Sequence, residues 1–486
     1  MVTRSVKAFI AVAALVAAST VSGQLLVQQA AGARRAAADP VGTDWPAYER
    51  NAAHSSAIFG DPAITTANAG SLHRAWSFVA DAATMTGQPA RSFDASPTVV
   101  GGRVYIGSRT GMFYALNATT GGLVWKRQLD FGSAANCVAK GIVGTATVTT
   151  DPTTGTLTVY AAGSHFVYAL NANTGAQQWK RSIGPNTAAG VAAYFNWGSP
   201  TVDSGHVFEG IGASCDSQKV RGGVVEINQH TGAVQHTWYD APKGKKGATV
   251  WSSQAADGTS VWVTTGSPDE TGTAIYDAYS IIRLNESTMA KTGQWTAPNT
   301  LTSDLDFGSS PTLFSATLSG VSTPMIGACN KNGNFYALRQ SALSAGPVWS
   351  RAVGQTGGTG TGACITSAAW DFQLKRLFVA SNTSTIAGQQ VPGALRALNP
   401  STGAVIWERP LPCLPNGSPT INGTVVAVPM YSCPTGVTPT VQLFRESDGQ
   451  PLGSVPATGK TFAQPVFASG ALFVASEDGT LTAYRP

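Results

Sequence analysis

One short phrase recurs eight times along this chain. Its clearest copy runs from Tyr114 to Gly121, reads YALNATTG, and is followed by Trp125. An apolar, β-branched run precedes the phrase and a tight polar turn ends it, which is typical of short strands. Such a repeat, with copies 40 to 60 residues apart, predicts an all-β fold with one small sheet per copy. Eight copies therefore predict an eight-bladed β-propeller. The copies align on Asn117, Asn171, Asn228, Asn285, Arg339, Asn399, Arg445 and Arg485.

A second motif, Ser-Pro-Thr, marks where blades begin. It starts at Ser96, Ser199, Ser310 and Ser418. Proline suits the first residue of a strand because that position needs no ladder donor.

The two ends of the repeat are each incomplete. The last copy ends at Pro486 with no tryptophan strand after it, whereas the segment from Gly70 to Trp76 precedes the first complete blade without a partner. We therefore expect the N-terminal segment to complete blade eight. Closing the ring in this way removes two exposed strand edges.

The N-terminus has the pattern of a secretory signal. Arg4 and Lys7 precede an apolar stretch that is too short to span a bilayer, and small residues follow. We expect residues 1–23 to be a signal peptide, with cleavage as late as residue 38. Residues 24–44 are then a disordered leader and residues 45–486 the propeller. The mature protein is expected to be secreted or held at the cell envelope, with no transmembrane segment.

Charge and cysteine content exclude some functions. The formal charge of +5 includes Arg4, Lys7, Arg34 and Arg35, so removing the leader lowers it by subtraction to about +1, and no nucleic-acid partner is predicted. Six cysteines in an exported chain could form three disulfides. We favour Cys413 with Cys433, because both lie in the seventh blade. The chain contains no Cys-x-x-Cys-His motif for covalent haem.

The repeat resembles the tryptophan-docking repeat of the pyrroloquinoline quinone (PQQ) propellers, and the resemblance covers roughly Trp45 to Pro486. In that family the tryptophan wedges between neighbouring blades and the glycine forms the turn. The repeat therefore reports packing, and scaffold propellers of outer-membrane assembly share it. Function must be read from residues that depart from the repeat.

The segment entering the fifth blade, residues 303–311, reads SDLDFGSSP. It resembles the segment that carries the catalytic aspartate of quinoprotein alcohol dehydrogenases, which implies that Asp306 is the base. A carboxylate in a dry pocket can remove a hydroxyl proton while hydride leaves the carbinol carbon. The alternative is an aspartate that caps a turn.

Two further segments imply a quinone site. Lys331 replaces a neutral or small residue in the repeated phrase, and it matches the family's basic residue that hydrogen-bonds the quinone oxygens. Trp251 is out of phase with the docking tryptophans and resembles the aromatic floor beneath the flat cofactor. A solvated turn lysine and an ordinary packing tryptophan are the alternatives.

The metal site is the least complete part of the resemblance. Asp216 matches an acidic calcium ligand, and Asp306 would be a second ligand. The alternative for Asp216 is an ordinary loop aspartate. Ser267 stands where the family usually places an asparagine, which is a better ligand. Lys140 lies about where the family has a basic residue that contacts a cofactor carboxylate. The paired adjacent cysteines of methanol-oxidising members are missing.

Together these segments resemble polyvinyl alcohol dehydrogenases most closely. The resemblance implies a PQQ- and calcium-dependent dehydrogenase that oxidises secondary or polymeric alcohols. With no haem domain in the sequence, electrons would pass to a separate acceptor. The alternative is a cofactor-free propeller that serves as an extracellular binding or assembly scaffold.

Overall fold

The structure is a computed structural model, and it describes residues 42–134, 137–185, 193–215, 219–268, 275–298, 304–355 and 362–486. Within these ranges eight sheets are each built on four antiparallel strands, and one further sheet has two strands. The predicted all-β, eight-bladed propeller is confirmed.

The first strand of each blade lies nearest the axis, and the fourth lies outermost. Blades one to four consist of Thr98–Val100, Arg103–Gly107, Met112–Asn117 and Leu123–Gln128; Thr147–Thr150, Leu157–Gly163, Phe166–Asn171 and Gln177–Ser182; Thr201–Asp203, His206–Ala213, Gly223–Asn228 and Val234–Tyr239; Ala255–Ala256, Ser260–Thr264, Ser280–Asn285 and Lys291–Thr296.

Blades five to eight follow the same order. They consist of Thr312–Leu318, Val321–Cys329, Asn334–Arg339 and Pro347–Ala352; Ala369–Asp371, Arg376–Ile386, Gln389–Leu398 and Val405–Leu411; Thr420–Asn422, Val425–Pro429, Thr440–Arg445 and Pro451–Pro456; Val466–Ala468, Ala471–Ala475, Thr480–Arg485 and His73–Val79.

A few elements lie outside this plan. They are the strand Ala57–Ile58 beside Thr420–Asn422, the strand Tyr194–Phe195 beside His206–Ala213, the hairpin Gly132–Ala134 with Cys137–Lys140, and the 3-10 helices Ala69–Ser71 and Leu343–Ala345.

The N-terminal strand closes the ring. His73–Val79 pairs antiparallel with Thr480–Arg485, so the first and last segments of the domain share blade eight. The Trp76 indole then donates a hydrogen bond to the Ala118 carbonyl of blade one at 3.2 Å. The prediction that this strand completes the last blade is confirmed.

At five junctions among the described residues, a tryptophan on the outermost strand of one blade packs on a glycine of the next blade. The Trp125 indole donates to the Ala172 carbonyl at 2.9 Å and covers Gly175 in the turn of blade two. Gly175 has a φ of 71°, and a Cβ there would lie 2.7 Å from the Trp125 ring, so both the turn and the contact require glycine. The same pairing joins Trp76 to Gly121, Trp179 to Gly232, Trp349 to Gly403 and Trp407 to Gly449.

Hydroxyl groups at the blade entries link neighbouring blades around the axis. The Ser253 hydroxyl accepts from the Ser199 amide at 2.9 Å, and the Ser310 hydroxyl accepts from the Ser253 amide at 2.9 Å. The same bond recurs from Ser96 to Thr145, Thr145 to Ser199, Ser310 to Ser367, Ser367 to Ser418 and Gln464 to Ser96. These bonds hold the axial ends of the blades in register.

A segment that has no repeat pattern runs along the innermost strands of the propeller. We name residues 45–56 the N-terminal belt, because their backbone bonds to the innermost strands or their entries in six blades. The bonds are Trp45 with Val99, Pro46 with Val148, Ala52 with Ala256, Ala53 with Leu313, Ser55 with Trp370 and Ser56 with Ile421. Four of its residues, Glu49, Arg50, His54 and Ser56, have positive φ, so the ring imposes a conformation that these residue types rarely adopt.

Two disulfides lie among the described residues. Cys413 pairs with Cys433, as predicted, and Cys329 pairs with Cys364. The Cys329–Cys364 disulfide links the end of the second strand of blade five to the segment that enters blade six.

Candidate active site

A cavity of about 520 Å³ lies at the axial end of the propeller, within the size range of small-molecule sites. Its wall includes Lys140, Trp251, Ser267, Asp306 and Lys331. These residues come from the entries and hairpins of different blades, so the ring brings together side chains that are far apart in sequence. Asp216 lies outside the described residues.

Asp306 lies at the centre of this group. Its side chain is 7% exposed, and Oδ1 is 2.7 Å from the Lys331 ammonium. Oδ2 accepts a hydrogen bond from the Trp251 indole at 3.2 Å. Burial raises the pKa of Asp306, the Lys331 charge opposes this rise, and the nearby Asp304 carboxylate adds to it. A carboxylate with a raised pKa is a stronger proton acceptor.

The backbone around Asp306 is fixed by its neighbours. The Lys331 amide donates to the Asp306 carbonyl at 3.1 Å, and the next residue, Phe307, is fully buried. The loop that carries Asp306 is therefore attached to the turn that carries Lys331, which keeps their side chains in contact.

Trp251 is half-buried, with part of its ring surface facing the cavity. A Cβ on Gly308 would lie 2.7 Å from the far edge of the indole, so glycine at this position makes room for the ring. The Lys331 ammonium lies 4.9 Å from the ring centroid, which is a cation–π distance. A flat aromatic surface and a cation thus face the same space.

Lys331 is 6% exposed and bridges two carboxylates. Burial lowers the pKa of Lys331, but the Asp306 and Asp304 carboxylates outweigh this and raise the pKa above its ordinary value. The side chain therefore stays charged. Its turn is braced by the Ala363 amide, which donates to the Lys331 carbonyl at 3.2 Å, and by the disulfide from Cys329, two residues earlier.

Asp304 is a functional candidate that the sequence analysis missed. Its Oδ1 lies 2.9 Å from the Lys331 ammonium and accepts a hydrogen bond from the Ser267 hydroxyl at 3.3 Å. The signal was present in the spacing Asp304-Leu305-Asp306, because residues two apart in an extended segment point to the same side. We name Asp304, Asp306 and Lys331 the carboxylate–lysine cluster.

Lys140 lies on the wall of the same cavity, but it contacts Trp197 and not a member of the carboxylate–lysine cluster. Its ammonium lies 3.7 Å from the centroid of the Trp197 ring. Burial, with the Arg109 charge, lowers the pKa of Lys140 to about 8. Contact of Lys140 with a cofactor carboxylate stays a prediction.

The donor atoms at the cluster fit part of a site for a hard cation. Asp304 and Asp306 supply carboxylates and Ser267 supplies a hydroxyl, which are oxygen ligands of the kind that calcium prefers. In the described part of the chain, no three His, Cys, Asp or Glu side chains are placed to hold a metal ion. A complete site therefore needs further ligands.

The comparisons with known proteins agree with this fold. The sequence family described as the β-propeller domain of glucose, ethanol and alcohol dehydrogenases, named PQQ, matches residues 45–356. The chain belongs to the PQQ family.

One relative with a described activity is the polyvinyl alcohol dehydrogenase of Sphingopyxis sp. (strain 113P3). It is 26% identical over 396 residues, which cover 71% of this chain. The match spans only 56% of that relative's length.

Solved structures of PQQ-type and other propellers share the fold. The quinohemoprotein alcohol dehydrogenase of Comamonas testosteroni has a TM-score of 0.71 at 18% identity, over 93% of this chain and 81% of that one. BamB of Moraxella catarrhalis has a TM-score of 0.54 at 15% identity, over 85% of this chain and 100% of that one. At these identities the likeness shows the fold alone.

Proposed function

We propose that this PQQ propeller is an exported PQQ- and calcium-dependent dehydrogenase that oxidises secondary or polymeric alcohols. The carrying observation is that Trp251, Asp306 and Lys331 are in mutual contact at the cavity. The family match and the named activity of the Sphingopyxis relative support an oxidoreductase.

Four residues that line the cavity have a role in this proposal. Asp306 accepts the hydroxyl proton of the alcohol, helped by its raised pKa. Lys331 holds a positive charge against the quinone oxygens, and Trp251 offers the flat surface for the ring system. Bound PQQ would supply the electron acceptor for the hydride of the carbinol carbon. Lys140 is proposed to contact a cofactor carboxylate.

The metal would be held by Asp306 and Ser267, with Asp216 as a further ligand. A divalent cation there would stabilise negative charge that develops on oxygen during the reaction. Electrons would then leave to a separate acceptor.

Export is supported by the signal-like residues 1–23 and by the two described disulfides, which persist in oxidising compartments. Residues 24–44 are proposed as the leader and 45–486 as the propeller. Among the described residues, no helix has the length and apolarity needed to cross a bilayer.

A second candidate is a cofactor-free scaffold. One observation favours it: the Lys331 ammonium is already paired with two carboxylates, so its charge has partners within the protein itself. Because of this pairing, the buried Lys331 does not require a bound cofactor to compensate its charge, as a cofactor-free scaffold would need.

Reconstitution separates the two candidates. The mature protein is loaded with PQQ and Ca²⁺, cofactor uptake is measured by the quinone absorbance, and dye reduction is followed with secondary alcohols and with polyvinyl alcohol. Stoichiometric uptake and alcohol-dependent dye reduction are expected. Absence of PQQ uptake by folded protein would reject the dehydrogenase and favour the scaffold.

A further inference from the structure

The Lys331 ammonium occupies a position between two carboxylates. It lies 2.7 Å from Asp306 Oδ1 and 2.9 Å from Asp304 Oδ1. Two negative charges thus face one positive charge, and the cluster carries a net charge of −1 when all three groups are ionised. Asp304 is not needed to neutralise Lys331, because Asp306 alone would do so.

Asp304 also contacts the weakest of the predicted ligands. The Ser267 hydroxyl donates to the same Oδ1 that faces Lys331, at 3.3 Å. Ser267 has no charge, whereas calcium-type cations select sites with several carboxylate oxygens. A carboxylate beside Ser267 supplies the charge that this hydroxyl lacks.

Exposure distinguishes the two carboxylates. The Asp304 side chain is 38% exposed, whereas that of Asp306 is 7% exposed. Asp304 and Ser267 both line the cavity. A cation that enters the cavity therefore has access to Asp304 without opening the packed core around Phe307.

We propose that Asp304 is a direct ligand of the divalent cation, together with Asp306 and Ser267. The Lys331 ammonium lies between the same two carboxylates. Cation and ammonium therefore compete for the same two oxygen atoms. This inference rests on the metal site of the proposed function and adds a ligand to it.

The simpler explanation of Asp304 is that it only balances the charge of Lys331. The two explanations differ when Lys331 is removed. A mere counter-ion has no remaining role in that background, whereas a ligand still binds the cation. Lys331→Met keeps most of the side-chain volume and removes the charge.

The test uses the mature protein without PQQ and measures Tb³⁺ binding. Tb³⁺ is a hard, oxygen-preferring cation, and its luminescence is sensitised by nearby indoles, here Trp251, whose nitrogen contacts Asp306. Affinity is measured for wild type, Asp304→Asn, Lys331→Met and the double variant, with Ca²⁺ displacement for each. The thermal midpoint of each variant establishes that it is folded.

Asp304→Asn should weaken Tb³⁺ binding at least tenfold in both backgrounds. Lys331→Met should strengthen binding about tenfold, because a like charge is removed from beside the cation. Asp304→Glu, which keeps the carboxylate, should recover part of the affinity. Asp94→Asn is the matched control, since Asp94 lines the same cavity but pairs with Arg109 at 2.6 Å, and its affinity should equal that of wild type.

Two results would overturn the inference. One is an unchanged Tb³⁺ affinity on adding Asp304→Asn to Lys331→Met, which would leave Asp304 as a counter-ion. The other is a lack of saturable, Ca²⁺-displaceable binding in the wild type. Failure of PQQ uptake with Tb³⁺ binding intact would reject the dehydrogenase and leave the cation site standing.

Discussion

The docking turns at the outside of the propeller are repeated, whereas the carboxylate–lysine cluster near its axis occurs once. At five blade junctions a tryptophan covers a glycine in the next blade. Each contact uses the same residue types and the same geometry. The cluster and the neighbouring Trp251 instead come from three different places where the chain departs from its repeat.

The difference shows how stability and chemistry are separated in this fold. Many equivalent junctions hold the ring, so the ends of the blades near the axis are free to carry unlike residues. The axial region in turn holds buried ionisable groups that would be costly in a repeated contact. We therefore expect substitutions outside to change stability, and substitutions at the cluster to change activity.

The largest effect is expected for Asp306→Asn in the protein reconstituted with PQQ and Ca²⁺. Loss of the proton acceptor should lower kcat by about 10²- to 10⁴-fold, while the side-chain volume is kept and the thermal midpoint stays close to that of wild type. Dye reduction per bound PQQ measures this. Activity within a few-fold of wild type would show that the base lies elsewhere and that the carboxylate–lysine cluster does not carry the chemistry.

A smaller change, in stability alone, is expected for a docking tryptophan. Trp349 is 8% exposed, stacks on Phe335 and donates to the Pro400 carbonyl at 2.8 Å. Trp349→Ala should lower the free energy of unfolding by about 3–5 kcal/mol. Chemical denaturation measures this loss.

Ile406 is the control for this prediction, since it lies on the same type of outer strand and is 43% exposed. Ile406→Ala should cost much less than Trp349→Ala. Equal losses from the two variants would mean that docking is not what holds the blades together.

The N-terminal belt should add a pH dependence to stability. Burial raises the pKa of Glu49 from 4.5 to about 8, although the Ser418, Ser367 and Tyr48 hydroxyls partly counter it. The folded state therefore holds a proton that the unfolded state has lost. This contribution is complete below pH 4.5 and is lost as the pH rises towards 8.

Glu49→Gln removes that titration and keeps the shape. The thermal midpoints of the variant and wild type should agree near pH 4, and the variant should be more stable above pH 8. Three ionisable neighbours in the belt, Tyr48, Arg50 and His54, are present in both proteins. Burial raises the pKa of Tyr48 well above its ordinary value, so Tyr48 stays protonated near pH 8 and the difference there reports Glu49. A constant difference across the pH range would contradict the assignment.

The smallest effect is expected at an exposed ion pair. Arg445 and Asp448 lie in the outer turn of blade seven, with side chains 39% and 49% exposed, and water and salt screen such pairs. Asp448→Asn should leave both the thermal midpoint and the dye-reduction rate within experimental error. A clear loss of either would show that ion pairs in the outer turns also contribute to stability or activity, in addition to tryptophan docking.

Much of the propeller could be predicted from the chain because its signals are local. The phrase around Asn117 and the Ser-Pro-Thr entries each report a strand and its turn within a few residues. The number of copies then predicted the number of blades, and the incomplete ends near Trp76 and Pro486 indicated how the ring closes. The pair Cys413–Cys433 followed from its position within one blade.

The candidate site was predicted only where a residue stood out from the repeat. Trp251, Asp306 and Lys331 do so, and the structure brings them together. Asp304 stands out in the sequence only through its spacing from Asp306, and an aspartate in such a loop is common. Its contacts with Lys331 and Ser267 identify it as part of the site.

By itself, the sequence determined the blade count, the strand order and the residues that depart from the pattern, because these depend on short-range alternation and turn chemistry. Tertiary structure alone decided that one lysine meets two carboxylates and that the N-terminal belt runs under the ring. Such contacts join residues far apart in the chain, and their geometry exists only once all eight blades have closed around a common axis.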